Sequence, residues 1–217
     1  MSLTLHGYWR SSATYRVRIA LALKELDYTY IPVSLIKDGG EQKSEAYQVL
    51  NPAMLVPTLV DSETDLQLNQ SLAIIEYLDE RFVSGVKLLP EHHIERAQVR
   101  ALAQDLACDV QPLGNLRVLH ALRDDFGATS EQINAWHCQW MEKGLTVLEK
   151  RLTLKAGRYA LGFGVSLVDV VLVPQVYNAL RNGINMSKYP TLYKIYQNCN
   201  ELAAFKQAAP EQQSDAF

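Results

Sequence analysis

Short β-rich runs alternate with helical patterns in the first part of the chain, and the later part is almost entirely helical in period. Strands are predicted at Leu3–Tyr8, Thr29–Val33, Thr58–Asp61 and Leu66–Asn69, and helices from about Ser12 to Leu26 and from Ser71 to Arg81. Ser84-Gly85 and Pro90 interrupt the pattern, and Glu91 then opens a long helical pattern expected to continue past Leu119. The elements therefore predict a mixed α/β domain over residues 1–83, a linker over 84–90 and an all-helical domain over 91–217. No internal repeat or low-complexity segment is evident, and the Ala208-Ala209-Pro210-Glu211-Gln212-Gln213 stretch reads as a frayed tail contributing little.

Where the first strand gives way to the first helix, the chain reads Ser11-Ser12-Ala13-Thr14-Tyr15-Arg16-Val17-Arg18-Ile19-Ala20-Leu21. A helix start leaves N–H groups without partners and carries partial positive charge, so anions are favoured there and a neighbouring thiol ionises more easily. Ser11 or Ser12 can also simply cap the helix. Arg16 and Arg18 follow within two turns, and two cations near a hydroxyl pair point to an anionic ligand.

Composition narrows the classes. A chain of 217 residues with a formal net charge of −3 and no long basic run lacks the electrostatic footprint of a nucleic-acid or membrane-surface binder. No apolar stretch reaches the roughly 20 residues that span a bilayer, and the N-terminus has no signal-like region, so a cytoplasmic protein is expected. The three cysteines, Cys108, Cys138 and Cys199, make an odd number without a Cys-x-x-Cys pair, which indicates neither a disulfide framework nor a metal site.

Further along, Gln70-Ser71 before an apolar helix reads as a second hydroxyl at a helix start. Gln111, Arg117 and His120 fall on one helical pattern, with Arg117 and His120 as neighbours and Gln111 nearly two turns earlier. Ser166-Leu167-Val168-Asp169 reads as a capping-box variant in which Asp169 serves stability. Trp136, Trp140, Leu145, Leu148 and Leu152 share a helical spacing and read as core.

The helix-start run resembles the signature of the zeta class of glutathione transferases, Ser-Ser-Cys-x-aromatic-Arg-Val-Arg-Ile-Ala-Leu, with Ala13 in place of the Cys. The resemblance continues through Lys37-Asp38-Gly39-Gly40, Asn51-Pro52, Val56-Pro57-Thr58-Leu59, Gln70 to Leu78, Gln111-Pro112-Leu113 and Leu172 to Val176. It implies a thioredoxin-like N-terminal domain followed by an all-α domain, glutathione as cofactor, and a homodimer. The activity it implies is isomerisation of maleylacetoacetate to fumarylacetoacetate, a late step in tyrosine and phenylalanine breakdown. The alternatives are maleylpyruvate isomerisation, a broader transferase acting on small electrophiles, and a non-catalytic glutathione-binding protein.

Residue by residue, the resemblance implies that Ser11 holds the glutathione sulfur, with Ser12 as a further hydroxyl donor. Val56, before a cis Pro57, would pair its backbone with the cysteinyl unit, and Ser71 with Gln70 would bind the γ-glutamyl carboxylate. Gln42 matches a position that reaches the glycyl end, although it also reads as a solvated loop residue. For a substrate with carboxylates, Arg181 matches a carboxylate-binding arginine, Gln111 a polar position in the substrate pocket, and Arg117 an arginine of related maleylpyruvate isomerases. Without that match, Arg117 reads as a surface arginine. Ala13 cannot supply the thiol that the family usually carries there.

Overall fold

The computed structural model describes residues 2–217. The backbone divides into two compact units, one built from residues up to Lys87 together with Glu201–Phe217, the other from Leu88–Asn200. In the first unit, β1 (Leu3–Gly7), α1 (Ser12–Leu23), β2 (Thr29–Pro32), α2 (Glu45–Leu50), β3 (Thr58–Asp61), β4 (Leu66–Asn69) and α3 (Ser71–Arg81) follow in order. The strands form one mixed sheet in the order β2-β1-β3-β4. β1 runs parallel to β2 and antiparallel to β3, which pairs antiparallel with β4. This is the thioredoxin-like arrangement expected of the N-terminal domain.

Leu3, Leu5 and Gly7 alternate inward along β1, the period of a strand with one buried face. α1 is different, because every residue from Thr14 to Leu21 is buried. Its cations are therefore internal: Arg16, Arg18 and Lys24, just past its end, are each 1 % exposed. Buried charge is tolerated only with partners. Lys24 Nζ lies 3.4 Å from Asp79 Oδ1, and Lys87 Nζ lies 3.4 Å from the other oxygen of that carboxylate.

The segment expected to be a linker is partly fixed to the end of α1. Val86 N–H donates to the Leu23 carbonyl at 2.9 Å and Ser84 Oγ to the Lys24 carbonyl at 2.8 Å. Gly85 sits between them at φ +65°, where a Cβ would lie 2.2 Å from the Leu23 carbonyl oxygen, so only glycine fits.

The second unit contains α4 (His93–Ala107), α5 (Leu116–Asp124), α6 (Ser130–Leu152), α7 (Leu167–Arg181) and α8 (Pro190–Cys199). The helix expected to run from Glu91 past Leu119 breaks after Ala107. A 3₁₀ turn over Gln111–Gly114 carries Pro112, and the Asn115 side chain caps α5 by accepting the Arg117 N–H at 3.1 Å. α7 is buried along almost its whole length, and its start forms the expected capping box. Asp169, fully buried, accepts from Ala160 N–H and Ser166 N–H at 2.8 Å each and from Ser166 Oγ at 3.0 Å. Leu145, Leu148 and Leu152 are core as expected, whereas Trp136 and Trp140 are only half-buried and meet edge to face.

After α8 the chain rejoins the first unit through α9 (Ala203–Ala208). The expectation of a frayed tail from Ala208 is not met: Ala208 is 3 % exposed, Pro210 is buried, and Arg18 Nε donates to the Ala208 carbonyl at 3.0 Å. The tail's polar composition hid a backbone acceptor and a docking face.

Candidate active site

Ser11 occupies the N-cap of α1 with extended backbone angles, and its Oγ accepts the Thr14 N–H at 3.2 Å. A hydroxyl can accept and donate at once, so capping leaves the Ser11 proton available to an anion. The Tyr15 N–H goes to the Ser11 carbonyl at 2.8 Å, so the N–H groups of Ser12 and Ala13 are those that the helix start leaves open. Ser11, Ser12 and Ala13 are all part-exposed. The local geometry thus offers a hydroxyl donor and open backbone donors at the positive end of a helix.

The two arginines are buried, and each has an acceptor inside the protein. Arg18 donates through Nη2 to the Trp9 carbonyl at 2.9 Å and through Nε to the tail, and Arg16 Nη1 donates to Ser71 Oγ at 3.2 Å. Because α1 is enclosed, its guanidinium groups serve internal acceptors.

Ser71 is also placed differently from its expected N-cap role. It is the first residue of α3, and Gln70 is the N-cap at φ +68°. A positive φ on a non-glycine residue is a strained conformation of the kind that concentrates at binding and catalytic sites. Gln70 is exposed, and the buried Ser71 hydroxyl accepts from Arg16 while keeping its own proton to donate.

Val56–Pro57 is a cis bond immediately before β3, and Val56 lies outside the strand ladder. The loop is held by Asn51, a side chain 2 % exposed. Its Nδ2 donates to the Leu55 carbonyl at 2.8 Å and to Thr58 Oγ1 at 3.1 Å, while Oδ1 accepts Ala53 N–H at 3.0 Å and Asn69 Nδ2 at 3.1 Å. The Tyr47 hydroxyl donates to the same Leu55 carbonyl at 2.8 Å. Gln42 follows Gly40, with its carboxamide folded against that glycine and Oε1 buried without a hydrogen-bond partner.

In the helical unit, Gln111 belongs to the 3₁₀ turn and Arg117 and His120 to α5, so the single helical face read from their spacing does not exist. Arg117 and His120 are exposed. Arg181, at the end of α7, is exposed and its Nη1 lies 3.4 Å from Asn178 Oδ1. Asn178 Nδ2 is in turn 3.5 Å from His137 Nε2 on α6. Burial holds His137 below the ordinary histidine value, and the Arg181 charge adds to the effect. Gly114 lets that ring approach the turn, since a Cβ there would lie 2.3 Å from His137 Nε2. The structure therefore brings the Gln111–Gly114 turn, His137, Asn178 and Arg181 into one neighbourhood and leaves Arg117 outside this hydrogen-bonded group.

Two of the three thiols, Cys138 and Cys199, are poor nucleophiles. Cys138 and Cys199 are both pushed up by burial first, then by the carboxylates of Glu142 and Asp169 respectively. Among the described residues, no group of three or more His, Cys, Asp or Glu side chains is arranged to hold a metal ion.

Comparison with known proteins sets this geometry in a family. Residues 10–81 match the family model described as the glutathione S-transferase N-terminal domain. A Vibrio cholerae protein described as "Probable maleylacetoacetate isomerase" is 53 % identical over 216 residues, covering 100 % of this chain and 99 % of that one. A crystal structure of maleylacetoacetate isomerase from Methylobacterium extorquens AM1 with bound malonate and glutathione superposes with a TM-score of 0.93 at 37 % identity, covering 99 % of each chain. The chain belongs to the zeta-class glutathione transferase and maleylacetoacetate isomerase family. A second solved zeta-class member, a holo maleylpyruvate isomerase, superposes with a TM-score of 0.92 at 40 % identity over 99 % of this chain and 100 % of that one.

Within this zeta-class fold, Asn51 and His137 are residues that sequence reasoning missed. Asn51 carried a signal as the Asn-Pro preceding the Val-Pro turn, but its four hydrogen bonds depend on β4 and on the loop closing over it. His137 lies in the middle of a long helix with no local motif, so nothing short-range marks it.

Proposed function

We propose that this protein catalyses the glutathione-dependent cis–trans isomerisation of maleylacetoacetate to fumarylacetoacetate. The observation that carries the reading is the full-length 53 % identity to the Vibrio cholerae relative described as a probable maleylacetoacetate isomerase. The residues of the first unit fit the tripeptide. Ser11 offers a hydroxyl proton beside open helix-start N–H groups, Ser71 a second hydroxyl at another helix start, and Gln42 a buried carboxamide oxygen without a partner. Bound glutathione supplies a thiolate that adds to the cis double bond, permits rotation about the resulting single bond and is released as the trans product forms.

The chain's own groups do the rest. Ser11 donates its proton to the sulfur and, with the field of α1, favours the ionised thiol at neutral pH. Ser71, Gln70 and the start of α3 bind the γ-glutamyl carboxylate, the Val56 backbone pairs with the cysteinyl unit, and Gln42 reaches the glycyl end. Ser12 or the helix-start N–H groups donate to negative charge developing on the substrate carbonyl oxygen. Arg181 binds a substrate carboxylate, with Gln111 contributing a polar side chain and Arg117 a second cation. Ala13 leaves this mechanism intact, because the nucleophile is not a side-chain thiol.

We extend the reading to a cytoplasmic homodimer. The three unpaired cysteines favour a reducing compartment, and family membership favours the dimer. No helix among the described residues is long and apolar enough to cross a membrane. Maleylpyruvate isomerisation is the second reading, favoured by the 40 % identity to the solved maleylpyruvate isomerase.

The test is turnover of maleylacetoacetate and maleylpyruvate, with and without glutathione, for the wild type, Ser11→Ala and Arg181→Ala. Glutathione-dependent turnover of maleylacetoacetate, lost in both variants, is expected. Preference for maleylpyruvate supports the second reading, and glutathione binding without turnover of either acid overturns both.

A further inference from the structure

We propose that Asp215, in the C-terminal tail, is a positioning residue that fixes the Tyr8–Ser11 loop and through it the Ser11 hydroxyl; the inference rests on the proposed role of Ser11. The loop joins β1 to α1, and its residue Trp9 is held at both its N–H and its carbonyl. Trp9 N–H donates to Asp215 Oδ2 at 3.0 Å, and the Trp9 carbonyl accepts Arg18 Nη2 at 2.9 Å. The same Arg18 donates through Nε to the Ala208 carbonyl at 3.0 Å, and the Tyr30 hydroxyl reaches Asp215 Oδ2 at 3.4 Å.

Trp9 is thus tied to the tail twice, once by a carboxylate and once through a guanidinium that also grips the tail backbone. Both bonds to the Trp9 peptide are charge-assisted, and Trp9 itself is only 7 % exposed, where such bonds are strong and an unpaired N–H is costly. Phe217 adds a ring contact to Trp9 at 5.6 Å.

Ser11 stands two residues beyond this clamp. Its N–H donates to the Tyr8 carbonyl at 3.0 Å, and its backbone is extended rather than helical at φ −68°, ψ 119°. α1 alone therefore does not set its orientation; the preceding loop does so as well. A hydroxyl meant to donate to a sulfur loses its effect with small misplacement, because hydrogen bonds weaken steeply as they bend. Residues 190 and 206 positions away in sequence, by the Arg18–Ala208 and Trp9–Asp215 pairs, thereby contribute to Ser11's placement within the same unit.

The experiment compares the wild type, Asp215→Ala, Asp215→Asn and Ser11→Ala in the full-length protein. Hydrogen exchange at Trp9 and Ser11 is followed without glutathione, the thiol of bound glutathione is titrated by its thiolate ultraviolet absorbance, and kcat and KM are measured. In Asp215→Ala, exchange at Trp9 should accelerate about tenfold or more, the scale of one lost charge-assisted hydrogen bond. Its bound thiol should titrate at higher pH, and kcat should fall with little change in KM. Asp215→Asn, whose carboxamide oxygen still accepts the Trp9 N–H, should restore most of each effect. Unchanged exchange, an unchanged thiol titration where Ser11→Ala shifts it, or no rescue by asparagine overturns the proposal. A Ser11→Ala protein that titrates like wild type overturns the Ser11 assignment itself, and is recognised separately because the exchange readout involves no glutathione.

Discussion

Replacing Asn51 with alanine tests whether the loop before Pro57 is held in shape by a single side chain. The substitution removes four hydrogen bonds of 2.8 to 3.1 Å from a residue that is 2 % exposed. Two of the partners keep a replacement, because the Tyr47 hydroxyl still reaches the Leu55 carbonyl at 2.8 Å and Thr58 Oγ1 at 3.0 Å. The Ala53 N–H and the Asn69 amide lose the acceptor that Asn51 gave them. With a net value of roughly 1 kcal/mol per bond and a further penalty for unpaired groups, the loss is about 2–4 kcal/mol. For a chain of this size, that corresponds to a fall in Tm of about 4–16 °C by calorimetry. Because the loop carries the Val56 backbone, the dissociation constant of glutathione by isothermal titration should rise at least about tenfold, or roughly 1.4 kcal/mol. Asn51→Asp keeps the acceptor but turns a carboxylate oxygen toward the Leu55 carbonyl, so it should be no better than alanine. A Tm within about a degree of wild type refutes the energetic argument. A lowered Tm with unchanged glutathione affinity refutes the link from this loop to the ligand.

Asp79→Ala strands the Lys24 ammonium in the interior and should cost about 3–5 kcal/mol in urea unfolding, whereas Lys24→Met with Asp79→Leu should recover most of it; equal losses in the single and double variants would contradict the pairing. Asp169→Ala leaves the Ala160 N–H, the Ser166 N–H and the Ser166 hydroxyl without their acceptor and should cost about 3 kcal/mol or more, seen as low soluble yield and a lowered Tm. The fraction that folds should keep its specific activity; a fully stable Asp169→Ala protein without turnover would show that the carboxylate belongs to the chemistry. His6 and His137 are both held below the ordinary value by burial, with the Arg181 charge adding at His137. The unfolded chain therefore binds their protons first, so their contribution is complete above about pH 6.5 and is lost as pH falls through the folded-state values. Urea titrations across this range should show a slope that flattens in the His6→Asn/His137→Asn double variant, and an identical slope would refute the assignment.

Elements whose signals are local were legible from sequence. β3, β4 and α3 start and end where the pattern placed them, because each is bounded by turn residues and its apolar period lies within its own length. Ser11 is visible as a cap for the same reason. The break between α4 and α5 was missed although Pro112 and Gly114 lie in it, since apolar residues continue at helical spacing across the turn and hide the change of axis. The burial of Arg16 and Arg18 was hidden for another reason. Their position near a helix start looks open to solvent only if α1 is exposed on one side, and burial on every side is a property of the assembled unit. Asp215 and Asn51 act through partners distant in sequence or on a closing loop, which no spacing rule records.

These observations converge on α1 as the element that organises the first unit's proposed glutathione-binding residues. Its start holds Ser11 through the Thr14 N–H, and its next turn sends Arg16 to the Ser71 hydroxyl at the start of α3 and Arg18 to both Trp9 and the tail. In the proposed reading two helix starts meet one ligand, and their geometry is fixed before it arrives. Enclosing α1 and giving each arginine an internal acceptor achieves this. In the proposed reading, the cations act by holding the Ser71 hydroxyl and the Trp9 carbonyl in place.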